Sequence, residues 1–304
     1  MELKRKMKKK VSIVTPSYNQ GIFLKRTIDS ILSQGIEEIE LLVFDGGSKD
    51  NSVEILKSYG NQISFISEKD EGQSDAVNKG LLSAKGEIIG WLNSDDVYYE
   101  GAIKAVIEIF DKNPDIDIVY GRADHIDEYD NYIEDYYTEL WNYERLKEIC
   151  FICQPAVFFR RSIINEFGVL DKKLRYCMDY EYWLRVGMKK PFYFLDKKLA
   201  GSRLYSDNKT LGSRRAVHIE IITMLKQKFG KIPSRWIYNL AHVITEESGY
   251  SRNNEKENYM FVKDVVKNSI ISYLKYQKRI PLSSLKEMAG WIKHSRYSKL
   301  GANK

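Results

Sequence analysis

The first hundred residues alternate between short apolar runs and longer stretches whose apolar residues recur on one helical face. Residues 11–15, VSIVT, read as a strand, and residues 21–34 carry Ile22, Phe23, Leu24, Ile28, Ile31 and Leu32 at helical spacing. Residues 39–44 read as a second strand. The turn DGGSKDNS then offers Asp50 or Asn51 as the cap of a helix bearing Val53, Ile55, Leu56 and Tyr59. A third strand follows at 63–66, a helix at 74–84 and a fourth strand at 87–92. Strands and helices repeating with short connections predict an α/β fold, a mostly parallel central sheet with helices on both faces.

Beyond residue 100 the alternation loosens. Residues 101–110 read as an amphipathic helix and 116–120 as a strand. ICQPAVFFRR reads as a strand that Pro155 places at an edge or on a bulge, MDYEYWLRVG as a helix, and 192–195 as a return to the sheet. Past residue 213 only helical spacing remains, with Trp236, Ile237, Leu240 and Val243 on one stripe and Tyr273, Leu274, Tyr276, Trp291 and Ile292 on others. The expected organisation is a tail over 1–10, an α/β domain over 11–212 and a helical region over 213–304.

In parallel sheets ligands bind beyond the carboxyl ends of the strands, and the polar clusters fall there. They are Thr15 to Asn19 after the first strand, Asp45 to Ser48 after the second, Glu68 to Glu71 after the third and Asn93 to Asp96 after the fourth. The fourth poses an electrostatic question. Two adjacent carboxylates at the mouth of a buried strand repel one another, and burial opposes their charge, so Asp95 and Asp96 need a positive partner. Asp45 invites a dinucleotide site, but TPSYNQG has one glycine where such a site wants three, and no Lys-Ser/Thr pair of a phosphate loop is present. A divalent cation held by Asp95 or Asp96 would clamp a diphosphate and relieve the repulsion together. Capping of the next helix by the same acids is the competing reading.

Composition and charge narrow the choice. A chain of 304 residues, 43% hydrophobic, builds a real core, and no apolar run approaches the roughly 20 residues that cross a bilayer. The start, MELKRKMKKK, is followed by no apolar stretch of signal-peptide type, so secretion is not expected. Cys150, Cys153 and Cys177, with four histidines that lack ligand spacing, fit packing in a reducing compartment. Net charge is +6, with about +5 in the first ten residues, about +11 over 214–304 and about −10 between. An acidic body that binds a polyanion needs a cation as intermediary. Basic ends suit an anionic lipid surface, nucleic acid or plain solubility, and a nucleic-acid binder does not fit the acidic centre.

Five ordered segments carry a resemblance. VSIVTPSYNQGIFLKRTIDSILSQ, LLVFDGGSKDNSVEIL, GWLNSDD, QPAVFFRR and MDYEYWLR resemble, over residues 11–210, the inverting family 2 glycosyltransferases of the GT-A fold, of the bacterial surface-polysaccharide type. The resemblance implies a metal-dependent transferase. It would move a sugar from a nucleotide-sugar, UDP-linked, to a saccharide or lipid-linked acceptor, with Mn2+ or Mg2+ as cofactor. The setting it implies is the cytoplasm, or the inner face of the cell membrane reached through the basic ends. It places Thr15, Pro16, Tyr18 and Asp45 around the nucleoside, and Asp75 and Lys79 near the base, ribose or phosphate. Asp95 falls at the ribose or metal, Asp96 on the metal and Asp179 as catalytic base. Departures are Gly46 where many members have a second acid, Asn93 where the motif opens with Asp, and Tyr205 where many carry a His. Arg203 or Lys209 then supplies charge to the diphosphate.

Each assignment has a plainer counterpart. Asp179 reads as a helix cap, Glu181 as a surface ion pair with Arg185, and Thr15 and Tyr18 as turn residues. Trp91 reads as core, and Gln154 either bonds an acceptor or satisfies backbone. A non-catalytic nucleotide-sugar or membrane binder of the same fold is the rival function.

Overall fold

The computed structural model describes residues 10–205, 208, 212–250 and 255–301. In chain order its elements are β1 (Val11–Ser17), α1 (Gly21–Leu32), β2 (Ile39–Asp45), α2 (Ser52–Ser58), β3 (Ser64–Ser67), α3 (Gln73–Ser83), β4 (Ile88–Trp91) and β5 (Val97–Tyr98). There follow α4 (Ala102–Lys112), β6 (Ile118–Ile126), β7 (Tyr132–Asp135), α5 (Tyr143–Glu148), β8 (Val157–Arg160), α6 (Ser162–Phe167), α7 (Met178–Gly187) and β9 (Tyr193–Arg203). Helices α8 (Arg214–Phe229), α9 (Ser234–Glu247), α10 (Glu255–Gln277) and α11 (Leu282–Gly301) complete the chain.

Strands of the described residues form one sheet in the order β3-β2-β1-β4-β8-β6-β9-β5, with β7 paired to β6. β1, β2, β3 and β4 are mutually parallel, as are β6 and β9. β8 runs antiparallel to both β4 and β6, and β5 antiparallel to β9. All seven residues of β1 are buried, as expected of a strand covered on both faces. On one face Leu24, Ile28 and Ile31 of α1 join Ile13, Val43, Ile103, Val106 and Phe110 in a single apolar cluster.

On β1, Val14 points opposite to Ile13, and there α3 comes so close that a Cβ on Gly80 would lie 2.2 Å from Val14 Cγ1. Alanine favours a helix interior over glycine by about 1 kcal/mol, but no side chain fits that gap. Gly80→Ala is therefore expected to destabilise the protein by about 1–3 kcal/mol in urea unfolding, the sign set by overpacking and not by propensity.

Two expectations change. β8 is not at an edge: Pro155 sits in a 3-10 turn, Gln154–Ala156, ahead of the strand, so its missing N–H lies outside the ladder and Val157, Phe158 and Phe159 fill the sheet centre. β6 runs on to Ile126, because β7 and β9 pair with its second half, where polar and apolar residues mix.

The chain divides into two compact units, one holding the described residues up to Leu146 with Cys150–Asn208, the other Lys147–Ile149 and the described residues after Asn208. In the second unit Trp236, Ile237, Leu240 and Val243 are buried on one side of α9, and Trp236 Nε1 donates to the Lys147 carbonyl at 2.9 Å. Tyr273 is buried and its hydroxyl meets Ser284 Oγ at 2.8 Å, whereas Leu274 is exposed. Among the described residues no helix is long and apolar enough to cross a membrane.

Candidate functional site

Strand order reverses between β1 and β4, since β2 and β3 step away on the other side of β1. The crevice beyond that reversal is where open parallel sheets bind ligands, and β4 delivers Asn93 to Asp96 into it. Asp96 is buried, its Oδ1 accepting from the Arg203 backbone N–H at 3.0 Å and its Oδ2 from Asn93 Nδ2 at 3.1 Å. Asp95 is half-buried, and its Oδ2 accepts from the Tyr205 hydroxyl at 2.9 Å. That hydroxyl in turn accepts from Gln20 Nε2 at 3.0 Å. The Thr27 hydroxyl lies 2.9 and 2.8 Å from the carbonyls of Ser94 and Asp96, which fastens the motif to α1. Neither acid caps α4, whose N-cap is Gly101 with no side-chain cap bond.

Electrostatics answer the question posed by the sequence. Burial pushes the Asp95 carboxyl up, against the Tyr205 hydrogen bond, its own backbone N–H and the Arg203 charge. Burial and then the charge of Asp95 push Asp96 up to about 8, against the Arg203 N–H, the Asn93 amide and the Arg203 charge. At neutral pH the pair therefore retains a proton, and a cation bound there would displace it. Among the described residues no group of three or more His, Cys, Asp or Glu is arranged to hold a metal. Two carboxylates completed by ligand oxygens suit a hard ion such as Mg2+ or Mn2+, which keeps most of its shell from phosphate and water. The donor set fits.

Asn93 is the hub beneath this pair. Its Nδ2 donates to Asp96 and, at 2.9 Å, to Gln154 Oε1, while its Oδ1 accepts from Gln73 Nε2 at 2.9 Å and Trp91 Nε1 at 3.0 Å. An amide at this position orients Asp96, where a third carboxylate would repel it. Gln154 completes the set by donating Nε2 to the Trp91 carbonyl at 2.6 Å, so its amide satisfies backbone. Trp91 is core, as expected.

Arg203 is buried with every guanidinium nitrogen committed. Nε donates to the Asp95 carbonyl at 2.7 Å, one terminal nitrogen to the Asp127 carbonyl at 2.6 Å and the other to the Asp130 carboxylate, while the group lies 4.7 Å above the Phe23 ring. Lys209 lies outside the described residues.

The β2 loop is built around Asp45. The carboxylate is buried, accepts from the N–H groups of Gly47 (3.1 Å) and Ser48 (2.9 Å) and from Ser67 Oγ (2.6 Å), and also bonds Ser48 Oγ. Gly47 has φ of +81°, a left-handed backbone that glycine adopts without cost. Thr15 and Ser17, on one face of β1, are buried with hydroxyl oxygens that find no partner, while Pro16 is buried and Tyr18 stands 60% exposed at the crevice mouth. Asp75 and Lys79 lie on the first two turns of α3. Burial pushes the Asp75 carboxyl up, but Lys172 at 3.2 Å, the Glu71 N–H and the Lys79 charge bring it below the ordinary range. Lys79 Nζ is 2.9 Å from Glu68 and 3.5 Å from Asp75.

Asp179 is in the first turn of α7, where the N-cap is Cys177 and a carboxylate is favoured by the helix dipole. The buried Cys153 thiol is raised by burial and by the charges of Asp96 and Asp179, so both carboxylates lie within electrostatic reach of one residue. Cys150 is pushed up to about 12 by burial and by Asp179, which suppresses the thiolate of Cys150 as burial does that of Cys153, and no disulfide joins the three cysteines. Glu181 does pair with Arg185, at 3.0 Å, but its carboxylate is buried, while Arg185 stays partly exposed and also reaches the carbonyls of Phe167 and Val169.

The family described as Glycosyl transferase family 2 matches residues 12–168, more than half of the chain. The chain belongs to glycosyl transferase family 2. An uncharacterized glycosyltransferase of Rickettsia felis is 31% identical over 253 residues, 78% of this chain, and the chain spans 39% of that relative's length. Among solved structures, residues 1–349 of S. aureus TarS in complex with UDP-GlcNAc align over 95% of this chain and 92% of theirs, at 15% identity and a TM-score of 0.61. The mannosyltransferase PcManGT from Pyrobaculum calidifontis, in complex with GDP-Man and Mn2+, aligns over 96% and 85%, at 14% identity and a TM-score of 0.55. The GT-A fold expected from the sequence is thus the observed one.

Within this family 2 member four groups of the site escape a reading of the sequence: Gln20, Thr27, Gln73 and the hub role of Asn93. Each acts through a partner 2 to 185 positions away, and the only signal of the first three is a polar residue at a helix start or in an otherwise apolar helix face.

Proposed function

We propose that the protein is a metal-dependent, inverting glycosyltransferase that moves a sugar from a UDP-linked donor to a saccharide or lipid-linked acceptor in bacterial surface-polysaccharide synthesis. The observation that carries the reading is the pair Asp95 and Asp96 at the strand-order reversal, held by the Tyr205 hydroxyl, the Arg203 backbone N–H and the Asn93 amide, with Asp179 in the first turn of α7. We assign the transfer to residues 11–212 and contact with an anionic membrane face to the basic helices of 213–304.

Asp96 and Asp95 would hold Mn2+ or Mg2+, which supplies Lewis-acid neutralisation of the leaving diphosphate. Tyr205 and the Arg203 backbone hold the two carboxylates in place. Thr15, Pro16, Tyr18 and Asp45, with Asp75 and Lys79 beyond them, would line the nucleoside side. Arg203 acts from below as a strut that keeps Asp95 in register. Asp179 takes the proton from the acceptor hydroxyl as that oxygen attacks the anomeric carbon opposite the departing diphosphate. Attack from that face inverts the centre without a covalent intermediate.

A thermal-shift panel of nucleotides with and without Mn2+ tests the reading. Saturating UDP with Mn2+, at about 100 times Kd, adds about 2.7 kcal/mol and should raise the melting temperature by on the order of 5 °C. UDP without the cation should do far less. Equal shifts with and without cation would remove the metal from the proposal.

A further inference from the structure

From Val265 to Lys286 the chain carries five cations, Lys267, Lys275, Lys278, Arg279 and Lys286, and no acidic residue. This stretch spans the second half of α10 and the turn into α11. The inner face of α10 is closed: Phe261, Val265, Val266, Ser269, Ser272 and Tyr273 are buried. At 100° per residue the opposite face holds Met260, Lys263, Asp264, Lys267, Ile271 and Leu274, one acid among its cations, and Lys278 follows directly past the helix end. Its apolar members are exposed, Met260 at 44%, Ile271 at 50% and Leu274 at 55%, and Leu282 just past the turn reaches 77%. Lys263, Lys267, Lys275, Lys278, Arg279 and Lys286 are exposed as well, and among the described residues none forms an ion pair with a carboxylate.

A solvated helix face has no reason to alternate half-exposed aliphatic side chains with lysines that meet no carboxylate, Lys263 resting over the Tyr259 ring, over about 27 Å, the rise of 18 residues. The combination matches one partner. Aliphatic tips that enter the acyl boundary, flanked by long cationic side chains that reach back to headgroups, describe a helix lying in the plane of an anionic bilayer surface. A protein partner for this face would need carboxylates to match six cations. A second copy of this chain offers the same cations and repels.

We infer that the outer face of α10, with the turn carrying Arg279 and Leu282, is a docking surface for an anionic lipid bilayer, read by Met260, Ile271, Leu274 and Leu282 together with the surrounding lysines. This rests on the membrane contact proposed above and narrows it from the basic ends in general to one helix face.

The test is co-sedimentation of the full chain with vesicles of phosphatidylcholine alone or with 30% phosphatidylglycerol, a composition of about the kind that separates charge from bulk lipid. The wild type is expected to bind only the anionic vesicles and to be released by high salt. Lys267→Gln with Lys278→Gln should weaken binding about 25-fold, about fivefold for each charge removed. Ile271→Ser with Leu274→Ser should weaken it by at least tenfold at unchanged net charge. Because all four side chains are exposed, these variants are expected to fold, and unaltered UDP-dependent thermal shifts verify it.

Wild-type binding that both double variants retain would overturn the assignment to α10 while leaving membrane contact standing. Wild type that ignores both vesicles would overturn the two together, with the transferase reading untouched. A wild-type dimer in sedimentation velocity that Ile271→Ser with Leu274→Ser converts to monomer would also overturn it.

Discussion

Asp179→Asn is expected to lower transfer to acceptor by about 10²–10⁴-fold while leaving UDP and Mn2+ binding unchanged. The side chain sits in the first turn of α7, and the exchange alters charge and basicity with almost no change in shape. Asparagine has no proton affinity to lend the acceptor hydroxyl, but it still fits a helix start. Initial rates with acceptor, set beside calorimetric titration of UDP with Mn2+, read the two effects separately. An unchanged rate would remove Asp179 from the chemistry. Absence of turnover in wild type and variant alike, with any nucleotide-sugar, would favour a non-catalytic binder on the same scaffold.

The affinity of the site for Mn2+ is expected to rise about tenfold per pH unit from about pH 6 to about pH 8 and then level off, because the cation displaces one proton from the Asp95 and Asp96 pair. The carboxyl of Asp96 is raised to about 8 in the folded protein, by burial first and by Asp95 second. A group raised on folding binds more protons in the folded than in the unfolded chain, so without metal its contribution to stability falls as pH rises from about 4 to about 8. Manganese acts oppositely, and the metal-induced rise in melting temperature should therefore grow with pH over the same window. Asp96→Asn removes the charge and the titration together. It should reduce the pH dependence to what the Asp95 carboxyl retains and weaken Mn2+ by at least 100-fold, while raising the stability of the metal-free protein near pH 8, since an amide there needs no proton. Calorimetry across a pH series decides it, and a flat profile in the wild type would sink the idea.

These two experiments address different halves of one site, and their dependence on each other is informative. Asp96 and Asp179 are 83 positions apart in the sequence, yet both press on Cys153. If the pair at β4 and the residue at α7 serve one reaction, Asp179→Asn leaves the pH profile of metal binding in place while removing turnover.

The sequence by itself determined the local elements and the chemical types. Apolar period and turn residues predict β1, α1, β2, α3, β4 and α7 to within two or three residues, because burial of one face and backbone geometry act over a few positions. The adjacent acids at 95 and 96 announce themselves without any structure, since their repulsion is a property of the covalent chain. What only the tertiary structure decided is which polar groups meet. Pro155 reads locally as an edge signal, yet β8 runs between β4 and β6, because the proline sits one turn before the ladder begins. Arg203 reads as a free cation for a diphosphate, and the fold commits its guanidinium to two carbonyls, Asp130 and the Phe23 ring. Asn93 reads as a departure from an acidic motif, and becomes the amide that aims Asp96. Hydrogen-bond partners 60 to 110 residues apart are fixed by strand order and register. Those are set by the collective packing of the sheet, which no window of local sequence contains.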